Sequence, residues 1–252
     1  MFRKDGNGFW KCKEPNFNFK QNKWNWTEWS SKCTFTLSKP NLIIIAGCNG
    51  AGKSTFSPIL VENIIPFDFD KRFIENYNSL IDSDIRDVMA SNITVNEFET
   101  KIQEAFDTHS SFCYETNFTT HPIYWVEKAK SLGYIVKLFF FCLDNLEIAK
   151  QRVYYRTLLN GHFVDDKTIA ERWKVGYKNL NLYFQNFDYV LLIDNSFENK
   201  TPTFLFELFK KNQDLFEFRK FQNSLPEYTN RRMPSIFNLL SEDQWVLFHF
   251  IN

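Results

Sequence analysis

A glycine-rich loop is the segment of this chain best suited to chemistry. Residues 47–55 read GCNGAGKST and match G-x-x-x-x-G-K-[ST], between an apolar run and a segment able to form a helix. Glycines let the backbone turn tightly, so that successive N–H groups point at a phosphate and the helix N-terminus adds partial positive charge. Three of the chain's eight glycines lie here. We therefore predict a nucleoside triphosphate site, with an ordinary tight turn as the competing interpretation.

In a loop of this kind each residue has a distinct task. Lys53 bridges the β- and γ-phosphates, and Ser54 ligates Mg²⁺. The residues predicted to bind the nucleotide are Gly47, Asn49, Gly50, Ala51, Gly52, Lys53, Ser54 and Thr55, with Ser54 as the metal ligand.

A candidate general base follows the second apolar run, in the sequence PFDFDK of residues 66–71. On a strand Asp68 and Asp70 would point the same way, and Asp70 would fall at the carboxyl end, where sites of α/β proteins form. A carboxylate there can take the proton of an acceptor hydroxyl. The alternative for Asp70 is the N-cap of a following helix. Asp68 is assigned a structural or metal-side role, outside the catalytic set.

Polar residues also end the third apolar run. Glu115 is followed by Thr116 and Asn117, three side chains suited to binding hydroxyls or an amide of a substrate, although a polar turn would look the same.

Arginines form a further candidate group. Arg152 and Arg156 are four residues apart and hence on one helical face, and Arg172 follows the pair Gly161-His162. Guanidinium groups neutralise charge on a transferring phosphoryl group. A solvated basic helix face is the competing interpretation, and it weighs more for Arg156. The predicted catalytic set is Lys53, Asp70, Arg152 and Arg172.

Composition narrows the class of protein. Thirty basic residues balance thirty acidic ones, which argues against a protein that binds nucleic acid mainly through a net positive charge. The apolar runs have strand length, well short of the ~20 residues of a membrane span, and no secretory signal is visible. Five cysteines without CxxC spacing disfavour a disulfide scaffold or a zinc site. We expect a reduced, cytoplasmic protein that binds no membrane.

Apolar runs and helical segments alternate from residue 39 onward. The predicted strands cover residues 42–46, 64–69, 111–115, 135–143 and 189–193, and helices are predicted after a capping box at 94–97, from Pro122 and from residue 144. This order predicts an α/β fold of three layers with a mostly parallel sheet. Amphipathic helices are expected at 202–211 and 241–250. The predicted organisation is an extension at 1–38, a core at 39–200 and a helical C-terminal cap at 201–252.

The first 38 residues differ from the rest. They hold four of the seven tryptophans and an excess of lysine, with the alternation of short strands. Three interpretations stay open: a β-rich cover on the core, a surface for a partner protein, or a surface for single-stranded nucleic acid.

This sequence lacks the further motifs that characterise the larger classes of P-loop protein. No NKxD-type guanine reader and no apolar run ending in DE is present, which leaves the layout of a small kinase. Taken together, IIIAGCNGAGKST, FDFD, YETNF, GYIVKLFFFCLDNLEIAKQRVYYR, NGH, AERW and IDNS resemble the zeta-toxin family, and its chromosomal branch most closely. The resemblance covers residues 42–196.

This resemblance implies a P-loop kinase fold and ATP with Mg²⁺ as donor. It implies the 3′-hydroxyl of UDP-N-acetylglucosamine as acceptor, a phosphorylated product that poisons cell-wall precursor synthesis, and a partner antitoxin. By motif position it implies that Asp70 is the catalytic base and that Glu115 is the acidic substrate-binding residue, with Thr116 or Asn117 beside it. It likewise implies that Arg152 and Arg172 are the phosphate-contacting arginines on either side of the Gly161-His162 lid.

The sequence departs from the family pattern in three places. Asn117 stands where the family has a second threonine, residues 171–172 read Glu-Arg rather than two basic residues, and residues 71–92 match nothing in the family. The acceptor could therefore be another metabolite, a nucleotide or a nucleic-acid end. A nucleotide-dependent interaction module is the alternative from a different functional class.

Overall fold

The computed structural model describes residues 39–61, 63–159, 163–197, 201–211 and 215–239, together with the backbone of three strands nearer the N-terminus. The predicted Gly161-His162 lid and the helix predicted at 241–250 lie outside these residues. The chain divides into two compact units, Met1–Lys39 and Pro40–Asn252.

The described part of the first unit contains three β-strands. They are β1 (Arg3–Lys4), β2 (Trp10–Asn18) and β3 (Lys23–Trp29), which pair antiparallel in the order β1-β2-β3. The strand prediction from alternating residues is confirmed.

The second unit is built on a mixed six-stranded sheet of order β5-β4-β6-β7-β8-β9. The four strands at one side are parallel, and β8 and β9 continue the sheet antiparallel. The strands are β4 (Asn41–Ala46), β5 (Phe112–Thr116), β6 (Ile135–Cys142), β7 (Tyr189–Asp194), β8 (Thr203–Lys210) and β9 (Phe216–Lys220). Because β4 lies between β5 and β6, the loop that follows β4 emerges in the middle of the parallel part.

Helices cover both faces of this sheet. Alternate residues of β4 enter different apolar clusters, Leu42 and Ile44 on one face and Ile43 and Ile45 on the other. The helices are α1 (Lys53–Leu60), α2 (Phe69–Ser79), α3 (Arg86–Asp107), α4 (Tyr124–Ser131), α5 (Leu146–Leu158), α6 (Asp166–Tyr183), α7 (Glu227–Arg232) and α8 (Pro234–Leu239). The predicted three-layer α/β fold with a mostly parallel sheet is confirmed. No helix in the described part of the chain is long and apolar enough to cross a membrane.

The strand predicted at 64–69 is wrong. Only Phe67 pairs with the sheet, in a single parallel bridge to Tyr114 of β5. The strand cannot extend because Asp68 caps α2 by accepting a hydrogen bond from the Lys71 N–H at 3.1 Å. Asp70 therefore lies in the first turn of α2 instead of at the end of a strand.

The helix predicted at 202–211 is also wrong, because this segment is strand β8. Four consecutive residues, 205–208, are buried, as expected for a strand covered on both faces rather than for a surface helix. The described C-terminal residues thus add two strands before the short helices α7 and α8.

Two predicted helix starts are misplaced. The capping box at 94–97 lies inside α3, where the buried Thr94 hydroxyl donates to the Ala90 carbonyl at 2.8 Å. The helix predicted from Pro122 begins at Tyr124.

Candidate active site

The glycine-rich loop joins β4 to α1 and takes backbone conformations that only glycine adopts easily. Gly50 has φ of 77° and Gly52 has φ of 95°. A Cβ added at Gly50 would lie 2.6 Å from the Ala149 carbonyl oxygen, and one at Gly52 would lie 2.2 Å from Asn195 Nδ2. The loop is therefore held closely by α5 on one side and by the end of β7 on the other.

This loop lines a cavity of about 820 Å³. Of the eight residues predicted to bind nucleotide, six line it: Asn49, Gly50, Gly52, Lys53, Ser54 and Thr55. Gly47 and Ala51 lie behind the loop surface, and Ala51 is fully buried. These two residues therefore pack beneath the loop and do not face the cavity.

Lys53 points its ammonium group back over the loop. Its Nζ donates to the carbonyl oxygens of Gly47 at 2.8 Å and Cys48 at 3.1 Å, and to Asn117 Oδ1 at 3.3 Å. The charge is thus held at the centre of the loop, next to the end of β5.

Glu115 lines the cavity and turns its carboxylate towards the loop. Because β5 runs parallel to β4, the carboxyl ends of both strands meet, and Glu115 accepts hydrogen bonds from Ser54 Oγ at 2.7 Å and Ser57 Oγ at 2.6 Å. Burial raises the pKa of Glu115, and the two serine hydroxyls oppose this shift. Both carboxylate oxygens are therefore engaged on the nucleotide side of the site. Ser57 was missed by sequence reasoning, although it lies one turn after the G-K-S motif.

The same residues suit a magnesium ion. Ser54 Oγ and the Glu115 carboxylate supply hard oxygen atoms, which Mg²⁺ prefers, and Asp68 lines the same cavity. Among the described residues no group of three or more His, Cys, Asp or Glu side chains could hold a metal ion. A magnesium ion here would thus take much of its coordination from phosphate oxygens and water.

Asp70 belongs to a network that crosses the cavity. Asn49 Nδ2 donates to Asp70 Oδ2 at 3.2 Å, and Asn49 Oδ1 accepts from Arg172 NH1 at 2.8 Å. Arg156 NH1 lies 3.9 Å from the same Asp70 oxygen. Asn49 is 1% exposed, so its amide is a fixed link between the loop, α2 and α6.

The two arginines of α5 have different neighbours. Arg152 donates weakly to the carbonyl oxygens of Gly50 and Phe197, both at 3.4 Å, whereas Arg156 faces Asp70. Both line the cavity, as does Arg172. The sequence pattern indicated this shared helical face, but it did not show that Arg156 lies nearer the carboxylate than Arg152 does.

The remaining polar residues complete the ends of the cavity. Thr116 and Asn117 line it as expected, with Thr116 Oγ1 accepting from the Phe118 N–H at 3.0 Å. Asn195, missed by sequence reasoning, donates to the Ala51 carbonyl at 2.9 Å from the carboxyl end of β7. Its place in the motif IDNS was the available signal.

Comparison with known proteins gives a family and a fold. The family model described as Zeta toxin matches residues 26–195. No curated protein sequence matches the chain. A solved structure of AvrRxo1-ORF1 with AvrRxo1-ORF2 and sulphate ions is similar with a TM-score of 0.56 and 13% identity, over 73% of this chain and 62% of that chain. The same complex with ATP gives 0.52 and 14%, over 68% and 59%.

A second similar structure is a candidate kinase from Chloroflexus aurantiacus, with a TM-score of 0.50 and 18% identity over 65% of this chain and 92% of that one. The chain therefore spans less than two thirds of AvrRxo1-ORF1 but nearly all of the Chloroflexus protein. These structures share the fold of the second unit. The Zeta toxin family model matches well over half of the residues of this chain, so the chain belongs to the zeta toxin family.

Proposed function

We propose that this protein is an ATP-dependent kinase that transfers the γ-phosphoryl group to a hydroxyl of a nucleotide sugar, with the 3′-hydroxyl of UDP-N-acetylglucosamine as the leading acceptor. The observation that carries the proposal is that a phosphate-binding loop and a carboxylate share one cavity and are joined through Asn49. The zeta toxin match and a fold found in a candidate kinase support it.

The donor would bind at the loop. Backbone N–H groups and Lys53 would hold the β- and γ-phosphates, and Ser54 would ligate Mg²⁺, with Glu115 accepting a hydrogen bond from the Ser54 hydroxyl and orienting it. The magnesium ion neutralises charge on the phosphates when it is bound. A structure of the similar AvrRxo1-ORF1 was solved with ATP, which supports a nucleotide donor.

Asp70 would act as the general base. It would take the proton of the acceptor hydroxyl as the oxygen forms a bond to the γ-phosphorus, while the bond between the γ-phosphorus and the bridging oxygen breaks and ADP leaves. Arg156, Arg152 and Arg172 would neutralise charge on the transferring group. Arg156 is added to the predicted set because it lies nearest to Asp70.

The acceptor would enter beside β5. Thr116 and Asn117 line this end of the cavity together with Thr119 and Thr120, and their hydroxyl and amide groups suit the hydroxyls of a sugar. Glu115 would contribute less to binding of the acceptor than its motif position implies, because its carboxylate oxygens accept hydrogen bonds from Ser54 and Ser57.

In the cell the protein would act in the cytoplasm as the toxin of a toxin–antitoxin pair. The family match supports this role, and the similar AvrRxo1-ORF1 was solved together with the product of a second reading frame. A cognate antitoxin is therefore the expected partner.

The experiment is an acceptor screen by mass spectrometry. Purified protein, ATP and Mg²⁺ are incubated separately with UDP-N-acetylglucosamine, other nucleotides and 5′-hydroxyl oligonucleotides. Gain of one phosphoryl group by the nucleotide sugar supports the proposal. Phosphorylation of another compound instead would overturn the acceptor, and ATP binding without any transfer would favour an interaction module. Asp70→Asn serves as the matched inactive control.

A further inference from the structure

The ammonium group of Lys53 makes three hydrogen bonds, one for each of its N–H donors. Two of the acceptors are carbonyl oxygens of its own loop, those of Gly47 at 2.8 Å and Cys48 at 3.1 Å. The third is Oδ1 of Asn117 at 3.3 Å, which lies 64 residues further along the chain. Among the described residues, Asn117 is thus the one side chain that holds the ammonium group.

The order of the strands explains this contact. β5 runs parallel to β4, and Thr116 at the end of β5 lies opposite Ala46 at the end of β4. The residues that follow each strand, Asn117 and Gly47, therefore leave the sheet side by side at its carboxyl edge. From there the amide of Asn117 reaches across the loop to Lys53.

The backbone around Asn117 is held by α6. Asn179 Nδ2 donates to the carbonyl oxygens of Phe118 at 2.8 Å and Thr119 at 2.9 Å. A Cβ added at Gly176 would lie 3.2 Å from the Asn117 carbonyl oxygen, so α6 passes close to this turn. Phe118 is 1% exposed and has φ of 58°, a conformation that its packing must maintain. The position of Asn117 is therefore set by a turn that has little freedom to shift.

The length of the side chain then decides whether the contact forms. The Oδ1 of asparagine is one bond further from the backbone than the hydroxyl oxygen of threonine, which the family has at this position. With the backbone held, a threonine hydroxyl at position 117 would fall short of an ammonium group that the amide meets at 3.3 Å. The departure of this sequence from the family pattern thus adds a contact to Lys53.

We propose that Asn117 is a positioning residue for Lys53, which fixes the ammonium group where the β- and γ-phosphates of the donor would lie. The inference rests on the proposed function, because it places the donor phosphates at the glycine-rich loop. It gives Asn117 a task on the donor side, whereas its motif position implies contact with the acceptor. The physical reason is preorganisation: a lysine side chain that is already held loses less rotamer freedom when it meets phosphate.

The test measures donor binding with no acceptor present. Affinity of the full-length protein for ATP with Mg²⁺ is measured by calorimetry. Asn117→Thr should weaken ATP binding about 10-fold, the lower end of what a hydrogen bond to a charged group contributes, since 3.3 Å is a long contact. In a Lys53→Ala background the same substitution should change ATP affinity by less than twofold, because the group that Asn117 positions is gone.

Gln103→Ala is the matched control. Gln103 Oε1 also accepts a hydrogen bond from a lysine, from Lys128 Nζ at 2.7 Å, but outside the cavity. This variant should bind ATP as wild type does.

Each result has a distinct meaning. ATP affinity of Asn117→Thr within twofold of wild type would overturn the inference and leave the kinase proposal standing. An equal loss in the Lys53→Ala background would also overturn it, since Asn117 would then support the turn and not the lysine. The expected losses in a protein that transfers no phosphoryl group would uphold the role of Asn117 and overturn the proposed function. A wild-type protein that does not bind ATP would overturn both.

Discussion

Replacing Asn49 by alanine would test whether the network across the cavity supports catalysis. The substitution removes the hydrogen bond from Arg172 at 2.8 Å and the one to Asp70 at 3.2 Å, and it leaves the backbone unstrained because Asn49 does not have a positive φ. Asp70 and Arg172 would keep their charges but lose the link that fixes their relative positions.

The magnitude follows from these two contacts. A hydrogen bond to a charged group contributes about 1.5–3 kcal/mol. If the shorter bond acts fully in the transition state, its loss lowers kcat/KM by roughly 10- to 150-fold, and the longer bond adds to this. Asn49→Asp should lose at least as much, because it keeps the contact to Arg172 but places a second carboxylate against Asp70.

The assay is steady-state transfer to the acceptor identified by the screen, with thermal unfolding measured in parallel. Asn181→Ala is the matched control: Asn181 also uses both ends of its amide, donating to the Arg232 carbonyl at 2.7 Å and accepting from the Ser235 N–H at 3.0 Å, but away from the cavity. This control should lose stability and keep its kcat/KM. An Asn49→Ala enzyme within threefold of wild type would refute the reasoning.

Three further predictions concern single residues. Gly52→Ala should abolish ATP binding and lower the melting temperature, because φ of 95° costs alanine about 1–3 kcal/mol and its Cβ would meet Asn195; unchanged ATP affinity would contradict this. Burial raises the pKa of Glu115, so its ionisation opposes folding as the pH rises through the folded-state value. Glu115→Gln should therefore raise the melting temperature of the ligand-free protein above that of wild type at about pH 8 but not near pH 4, and weaken Mg²⁺-dependent ATP binding. The same difference from wild type at both pH values would contradict the prediction. Arg156→Ala should lower kcat about 100-fold or more, since its guanidinium lies 3.9 Å from Asp70, and a loss confined to KM would count against a role in transfer.

The loop and the parallel core are predictable from sequence because their signals are local. The spacing of the three glycines and Lys53 specifies a turn into a helix, and fully apolar runs such as β6 are typical of strands covered on both faces.

The errors lie where long-range contacts decide the structure. Residues 64–69 contain enough apolar residues for a strand, but the capping by Asp68 turns the chain into α2 after one bridge. Residues 202–211 fit a helical pattern as well as a strand, and pairing with β7 decides in favour of β8.

For the candidate site, most of the residues selected from the sequence line one cavity, but the sequence did not show how they pair. The distance between Arg156 and Asp70 depends on how α5 packs over the loop, which no local pattern encodes. The same holds for Glu115, whose two oxygens face Ser54 and Ser57 only because β5 lies beside β4.

The most direct test of the kinase proposal is single-turnover transfer from γ-labelled ATP by wild type and Asp70→Asn. Wild type should move the label to a hydroxyl of the acceptor. Asp70→Asn should bind ATP with the same affinity and transfer about 100-fold more slowly or worse, because it lacks the base. Transfer by Asp70→Asn at the wild-type rate, or label that never leaves ATP in the wild type, would contradict the account.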